Sequence, residues 1–161
     1  MIKVCFLTVG KLKESYWRDA AAEYVKRLGA DCRPEIVELP ESRLGDSPSE
    51  KEIASALSQE AKLMERRLSA KGAYNIAMCI EGRQLSSAEL SEKLNDIAVS
   101  GYSTVNFIIG SSFGISDEVK QRADLKLSMS KLTFPHQLAR IMLLEQVYRA
   151  FQIGKGTKYH K

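Results

Sequence analysis

Apolar runs of strand length alternate with amphipathic segments of helical length along all 161 residues of this chain. This alternation is the strongest constraint on the fold, because strands that are each followed by a helix usually pair in parallel. The fourth apolar run carries no charge, which is typical of a strand buried on both faces. The sequence therefore predicts one α/β domain over residues 1–161, with a mostly parallel sheet of five or six strands and helices on both faces.

Local patterns place five strands and five helices. The predicted strands are Ile2–Val9, Cys32–Leu39, Tyr74–Ile80, Thr104–Ile109 and Leu125–Met129. The predicted helices are Glu14–Leu28, a helix capped by Ser47 that runs to Ser69, a helix capped by Ser86 that ends before Gly101, Asp117–Ala123, and Pro135–Ile153. Ligands of parallel sheets bind at the carboxyl ends of strands, so three loops are candidates for a site: Glu81–Leu85, Gly110–Ile115 and Ser130–Phe134.

The composition excludes several classes of protein. A hydrophobic share of 44% and a charged share of 27% are ordinary for a soluble globular protein, and no apolar run is long enough to span a membrane. No basic segment precedes an apolar core at the N-terminus, so we expect a cytoplasmic protein. Cys5, Cys32 and Cys79 lie in apolar runs and form no Cys-x-x-Cys pair, which favours buried, reduced thiols. With only two histidines and no Cys/His spacing, no metal site is predicted.

Basic residues are concentrated at the two ends of the chain. Residues 1–28 hold six Lys or Arg against three acidic residues, and residues 131–161 hold six against one, whereas the whole chain has a net charge of only +4. If the two ends meet, they form a basic face suited to a polyanion. A solvated surface without a partner is an equally good interpretation of the charge alone.

The remaining motifs leave alternatives open. Gly110-Ser111-Ser112-Phe113-Gly114 follows the most buried strand, and its glycines suit either a ligand loop or a plain turn. The loop Val9–Lys13 is not a G-x-G-x-x-G, and Ile153–Thr157 lacks the Walker A spacing, which disfavours a dinucleotide oxidoreductase and a P-loop NTPase. His136 alone is typical of a solvated residue in the first turn of a helix. The apolar stripe of the last helix indicates core packing or a dimer surface.

The order of several segments resembles the large-subunit ribosomal RNA methyltransferase H family, which belongs to the SPOUT class. The most specific match pairs Thr133-Phe134-Pro135-His136-Gln137 with Glu145-Gln146-Val147-Tyr148-Arg149-Ala150; the others are Val9–Lys13, Glu81–Ser87, Phe107–Gly110 and the terminal Tyr159-His160-Lys161. This resemblance covers essentially the whole chain. It implies a C-terminal trefoil knot, a homodimer, S-adenosylmethionine as cofactor and no metal. The implied activity is methylation of N3 of a pseudouridine in the helix 69 loop of 23S rRNA, on assembled 70S ribosomes.

The resemblance also implies which residues hold the cofactor, and this chain has Ser111 where the family often has a second glycine. The implied cofactor contacts are Met78, Gly110, Met129, Ser130, Lys131, Leu132, Thr133 and Phe134. The expected catalytic residues are His160, as the base for the N3 proton, and Tyr159, which would hydrogen-bond to or stack on a base. The expected RNA contacts are Lys11, Lys13, Arg140, Arg149, Lys155, Lys158 and Lys161. The competing interpretation is a ribosome-associated module that binds S-adenosylmethionine or RNA without catalysis.

Overall fold

One parallel sheet organises the molecule. The computed structural model describes residues 1–160, except for the side chain of His160, and Lys161 lies outside the described residues. The strands are β1 (Lys3–Val9), β2 (Arg33–Leu39), β3 (Ala73–Gln84), β4 (Thr104–Ile109) and β5 (Leu125–Ser128). Their order is β2-β1-β4-β3-β5, and each neighbouring pair is parallel. The predicted parallel α/β fold is therefore confirmed, with five strands.

The helices cover both faces of the sheet, as predicted. They are α1 (Ser15–Leu28), α2 (Glu50–Leu68), α3 (Ser87–Val99), α4 (Asp117–Arg122) and α5 (His136–Gly154), followed by a short 3-10 turn at Lys158–His160. Helices α1, α3 and α5 pack on one face, and α2 and α4 pack on the other. No helix in the described part of the chain is both long and apolar enough to cross a membrane.

The central strands β1 and β4 form the middle of the core. Val4 and Phe6 point to the layer of α1, α3 and α5, whereas Cys5 and Leu7 point to the layer of α2 and α4. Phe6 stacks on Phe107 of β4 with 5.6 Å between the ring centroids. Successive side chains of a strand point to opposite faces, so burial of both faces requires an uninterrupted apolar run.

Serine residues cap the N-termini of three helices, but the N-cap of α2 is not the predicted residue. The cap of α2 is Ser49 and not Ser47: the Ser49 hydroxyl accepts a hydrogen bond from the Glu52 backbone N–H at 3.1 Å, and the Glu52 carboxylate accepts one from the Ser49 N–H at 3.2 Å. Ser86 caps α3 in the same way, as predicted. Helix α2 therefore begins at Glu50, two residues later than expected.

Strand β3 is longer than predicted and bends where it passes β5. Its pairing with β5 shifts register between Met78 and Arg83, and the strand ends at Gln84 instead of Ile80. A Cβ atom on Gly82 would lie 2.8 Å from the backbone nitrogen of Leu127, so only glycine allows this close approach. The bend opens space beside Met78 at the carboxyl edge of the sheet.

Arg140 joins the start of α5 to the loop that follows β1. Its Nη1 donates to Glu38 Oε2 at 2.8 Å, its Nη2 donates to the Gly10 carbonyl at 3.1 Å, and its side chain is 2% exposed. The same Glu38 oxygen accepts a hydrogen bond from the Leu12 N–H at 3.3 Å. Burial lowers the pKa of the Arg140 guanidinium, and the hydrogen bond to Glu38 opposes that shift. The structure thus corrects the expected phosphate contact of Arg140, because this guanidinium is enclosed and neutralised inside the chain.

We expect Arg140→Met to lower the free energy of unfolding by about 2–4 kcal/mol, because it leaves the Glu38 carboxylate and the Gly10 carbonyl without their donor. Urea denaturation measures this loss. Lys131→Met is the control, since Lys131 is exposed and its replacement should change stability by less than about 0.5 kcal/mol. Equal losses in the two variants would contradict a specific role for Arg140.

Candidate active site

A cavity of about 650 Å³ opens at the carboxyl edge of the sheet, beside the ends of β3, β4 and β5. The first residues of α5 close one side of it. This is the edge at which parallel sheets bind ligands, and it contains parts of all three loops that the sequence singled out. The lining residues are Met78, Cys79, Ile80, Glu81, Ile109, Gly110, Ser111, Ser112, Gly114, Ile115, Lys120, Leu127, Ser128, Met129, Ser130, Leu132, Thr133, Phe134, Pro135, His136 and Ala139.

The structure brings together nearly all of the expected cofactor contacts. Those that line the cavity are Met78, Gly110, Met129, Ser130, Leu132, Thr133 and Phe134. Lys131 does not line it, and its side chain is exposed. Seven of the eight residues that were predicted to contact the cofactor therefore line one cavity, and Lys131 is the exception.

The loop after β4 is a tight backbone turn that also forms a wall of the cavity. The Gly114 N–H donates to the Ser111 carbonyl at 2.8 Å, and Gly114 has a φ of +85°, which favours glycine. A Cβ atom on Gly110 would collide with the carbonyl of Gly114. The segment is therefore a tight turn whose residues also line the cavity, so that the ligand-loop interpretation stays a prediction.

The loop after β5 is fixed by serine hydroxyls. Ser128 Oγ donates to the Ser130 carbonyl at 3.0 Å, and Ser130 Oγ accepts from the Leu132 N–H at 3.0 Å. This turn leaves Leu132 70% exposed at the mouth of the cavity, near Ile80, which is 58% exposed. The mouth therefore carries apolar side chains that a bound ligand can cover.

Polar side chains in the cavity are few, and sequence reasoning missed several of them. Half-buried His136 lines the cavity instead of standing free in the solvent. Its position directly after Pro135, at the start of the helix that follows the β5 loop, could have indicated from the sequence that His136 lies at the carboxyl edge of the sheet. Lys120 of α4 forms an ion pair with Glu81 of β3, so these two charges neutralise each other at the wall. The pKa of the Cys79 thiol is raised by burial, which disfavours the nucleophilic thiolate.

All three cysteines are unpaired thiols, as predicted. Cys5 and Cys32 are buried, and burial raises their pKa values to about 11 and about 12. Cys79 is only half-buried, so the prediction of buried thiols holds for two of the three. Among the side chains of residues 1–159, no three His, Cys, Asp or Glu are grouped closely enough to hold a metal ion.

Tyr159 lies beside the middle of α5, where the chain has turned back after the end of the helix. Its hydroxyl donates to Glu145 Oε2 at 2.8 Å, and its ring meets Tyr148 edge-on at 4.9 Å between centroids. The Arg149 guanidinium lies 4.9 Å from the same ring and is itself bound to Glu145. At 1.5 Å per residue, Glu145 is about 14 Å along the helix from His136. The expected catalytic role of His160 falls on a side chain outside the described part of the chain.

Glu145 accepts hydrogen bonds from several side chains near the C-terminal end of the chain. Burial opposes its ionisation, but hydrogen bonds from Tyr24, Tyr159 and Arg149 outweigh burial and lower the pKa of Glu145. Burial and the hydrogen bond to Glu145 together raise the pKa of Tyr24 to about 12, and they raise that of Tyr159 in the same way. Tyr159 is therefore held as a neutral hydrogen-bond donor in this position.

The two basic ends of the chain meet along α5, but their lysines form two separate clusters. Lys11 and Lys13 are exposed on the loop that Arg140 holds at the start of α5. Lys155 and Lys158 are exposed beyond its other end, where Lys155 forms an ion pair with Asp31 of the α1–β2 connection. About 22 Å of helix separates Arg140 from Lys155. The lysines of the two chain ends therefore lie near opposite ends of α5, and Lys161 lies outside the described part of the chain.

The sequence and the fold of this chain are both similar to those of known methyltransferases. Residues 2–160 match the family model described as "Predicted SPOUT methyltransferase". Proteins named ribosomal RNA large subunit methyltransferase H are 44% identical in Leuconostoc mesenteroides and 46% identical in Clostridium perfringens, over 99% of this chain and the full length of each relative. A crystal structure from Bordetella pertussis Tohama I, named "Probable Methyltransferase", matches with a TM-score of 0.56 at 14% identity and covers 93% of this chain and 95% of its own.

A parallel sheet with a ligand-sized cavity at its carboxyl edge and a family match over almost the whole chain define the class: this is a SPOUT methyltransferase. Within that class, the chain belongs to the ribosomal RNA large subunit methyltransferase H family. The family resemblance found in the sequence is thus confirmed. Membership of this class implies a C-terminal trefoil knot.

We expect Glu145→Gln to lower the free energy of unfolding at pH 7 by about 1–2 kcal/mol, because it weakens the hydrogen bonds from Tyr159 and Arg149. Since the pKa of Glu145 is lower in the folded protein than its ordinary value of 4.5, this stabilisation is present above that value and is lost as the pH falls below it. Urea denaturation should therefore show the difference from wild type shrinking between about pH 5 and about pH 3.

The matched control is Glu92→Gln, because Glu92 is exposed on α3 and should give little difference at either pH. A gap between wild type and Glu145→Gln that stays constant over this range would contradict the role of the ionised carboxylate.

Proposed function

We propose that this protein transfers a methyl group from S-adenosylmethionine to the ribosomal RNA of the large subunit. The observation that carries the proposal is the cavity at the ends of β3, β4 and β5, which is lined by seven of the eight expected cofactor contacts in a member of this family. The names of the relatives supply the substrate class. We also propose that the chain is a single domain that acts in the cytoplasm, where its ribosomal substrate lies.

The residues present fit the cofactor. A cavity of about 650 Å³ is within the range that holds molecules of this size. Ile109, Leu127 and Met129 offer apolar walls for an adenine ring and an aliphatic chain, and the turns at Gly110 and Ser130 also line the cavity. When bound, S-adenosylmethionine supplies a methyl group on a positively charged sulfur that a nucleophile can displace in line.

The contribution of the protein is positioning and proton handling. The apolar mouth formed by Ile80 and Leu132 would exclude water once RNA covers it, and aligned reactants account for much of the rate of such a transfer. N3 of pseudouridine is a weakly acidic imide, so a ring nitrogen of His160 would accept its proton as the methyl group arrives. Tyr159 would hydrogen-bond to the target base or stack on it.

The position of Tyr159 favours a tail that serves the cavity of a second copy. Tyr159 is anchored on Glu145 and Arg149, and Glu145 is about 9 Å along α5 from Ala139 and about 14 Å from His136, which both line the cavity of its own chain. We therefore propose a homodimer in which the tail of one chain reaches the cavity of the other. The exposed Lys155 and Lys158 would accompany that tail, so that each site would combine them with Lys11 and Lys13 of the partner as phosphate contacts.

The specific target is proposed from the family resemblance: N3 of a pseudouridine in the helix 69 loop of 23S rRNA, on assembled 70S ribosomes. An unpaired loop exposes the Watson–Crick edge of a base, which is a requirement for methylation at N3. Arg149 is bound by Glu145 and by the tail, so its part in RNA binding would be to hold Tyr159.

We expect tritium from methyl-labelled S-adenosylmethionine to enter the RNA of 70S ribosomes, with much less label in isolated 50S subunits or free 23S rRNA. Ribosomes that lack the pseudouridines of helix 69 are the control and should stay unlabelled. Binding of the cofactor and ribosomes without any incorporation would support the competing binding module and exclude catalysis.

We expect activity from mixed dimers of two inactive variants. One variant lacks residues 159–161 and keeps its cavity, and the other carries Gly110→Trp, whose side chain disrupts the cavity loop, and keeps its tail. If tails act on the partner's cavity, the mixed dimer has one complete site and methylates ribosomes, whereas each variant alone loses activity by about 100-fold or more. No recovery, after light scattering has shown that mixed dimers form, would exclude a tail acting in trans.

A further inference from the structure

We propose that Glu81 and Lys120 form a subsite for the zwitterionic amino-acid end of S-adenosylmethionine. The Glu81 carboxylate receives the ammonium group of the cofactor, and the Lys120 ammonium receives its carboxylate. This inference rests on the proposed function, because it assumes that the cavity holds this cofactor. It adds a polar anchor to a cavity whose walls are mostly apolar.

Glu81 and Lys120 are a pair of opposite charges in the cavity wall. Among the lining residues in the described part of the chain, they alone are Asp, Glu, Lys or Arg, and the Lys120 ammonium donates a hydrogen bond to Glu81 Oε1. That hydrogen bond lowers the pKa of Glu81 and raises the pKa of Lys120, so both groups are charged near neutral pH. The wall therefore offers one charge of each sign and no net charge.

The ion pair leaves hydrogen-bonding capacity on both partners. A carboxylate has a second oxygen and a lysine ammonium has three N–H donors, whereas the hydrogen bond between them occupies one oxygen and one N–H. The side chain of Lys120 is 22% exposed and that of Glu81 is 56% exposed, so a ligand can approach both groups. Ion pairs with such exposure contribute little to folding stability, and this pair is therefore available to a ligand.

Two separate elements of the fold bring the pair to the wall. Glu81 lies in the bulge of β3, where the pairing with β5 skips from Met78 to Arg83, and bulges of this kind redirect side chains. Lys120 lies on α4, and the residue before it, Val119, is buried in the core on that face of the sheet. The two charges thus meet at the cavity because of the fold and not because they are neighbours in the sequence.

The charges of the pair match the amino-acid end of the cofactor. Its ammonium and carboxylate groups stand on one carbon atom, and moving either group into a mostly apolar cavity without a partner is costly. Glu81 and Lys120 offer adjacent partners of the correct sign for both groups. An RNA phosphate is a poorer match for this position, because Glu81 already balances the positive charge of Lys120.

The test is calorimetric binding of two ligands that differ only at this end. S-adenosylhomocysteine carries the amino-acid end and 5′-methylthioadenosine lacks it, while both have the same adenosine and an uncharged sulfur. The double variant Glu81→Gln/Lys120→Met removes both charges and keeps the net charge of the cavity. It should raise the Kd of S-adenosylhomocysteine by about tenfold or more and leave that of 5′-methylthioadenosine within about twofold of wild type.

The matched control is the double variant Glu65→Gln/Arg122→Met. Glu65 of α2 and Arg122 of α4 form an ion pair of similar exposure, and neither residue is among those that line the cavity. This variant also keeps the net charge, and it should leave the Kd of both ligands within about twofold of wild type.

Equal weakening of both ligands by Glu81→Gln/Lys120→Met would overturn the inference, because it would mean that the pair only supports the shape of the cavity. An unchanged Kd for S-adenosylhomocysteine would overturn it too. If this variant does not fold, the wild type decides: it should bind S-adenosylhomocysteine at least about tenfold more tightly than 5′-methylthioadenosine, and equal affinities would overturn the inference. Failure of the wild type to bind S-adenosylmethionine or either of these ligands would instead contradict the proposed function.

Discussion

The parallel pairing of the two central strands β1 and β4 is the constraint on which the rest of the structure depends. Their backbones run in register from Lys3 opposite Thr104 to Thr8 opposite Ile109, and their side chains are covered on both faces. Because every strand then points the same way, the loops after β1, β3, β4 and β5 all emerge at one edge. The cavity, the Arg140 ion pair and the lysines of the β1 loop lie together at this edge for that reason.

Much of this arrangement is readable from local sequence, because strand and helix periodicities are local properties. The apolar runs at β1 and β4 identify central strands, and the parallel rule then assigns Gly110 and the segment after β5 to one edge. Ser86 and Glu89 were readable as a capping box because no competing pair stands nearby. At the start of α2, however, Ser47 with Glu50 and Ser49 with Glu52 both have the required spacing, and only the observed hydrogen bonds choose the second pair.

Contacts between residues that are far apart in the sequence could not be predicted from local sequence patterns. Arg140 looked like a phosphate contact because it lies in a basic terminal segment, but its partner Glu38 is 102 residues away in the sequence. The hydrogen bond from Tyr159 to Glu145 likewise forms only because the chain turns back along α5 after the helix ends. Glu60 of α2 is 3% exposed, although one acidic residue in an amphipathic helix is ordinarily solvated. A buried acid is recognised only when the fold shows what surrounds it.

The central place of β1 also governs how the chain can assemble during synthesis. Strand β1 is made first, and β2 covers one of its edges soon afterwards, but the other edge is reserved for β4, which the ribosome produces only after α1, β2, α2, β3 and α3. Until then an apolar strand edge remains open, which is the kind of edge that invites wrong pairing. Pairing between such distant segments is intrinsically slow. The nascent chain of this SPOUT methyltransferase therefore exposes this strand edge while it is still attached to the ribosome that makes it.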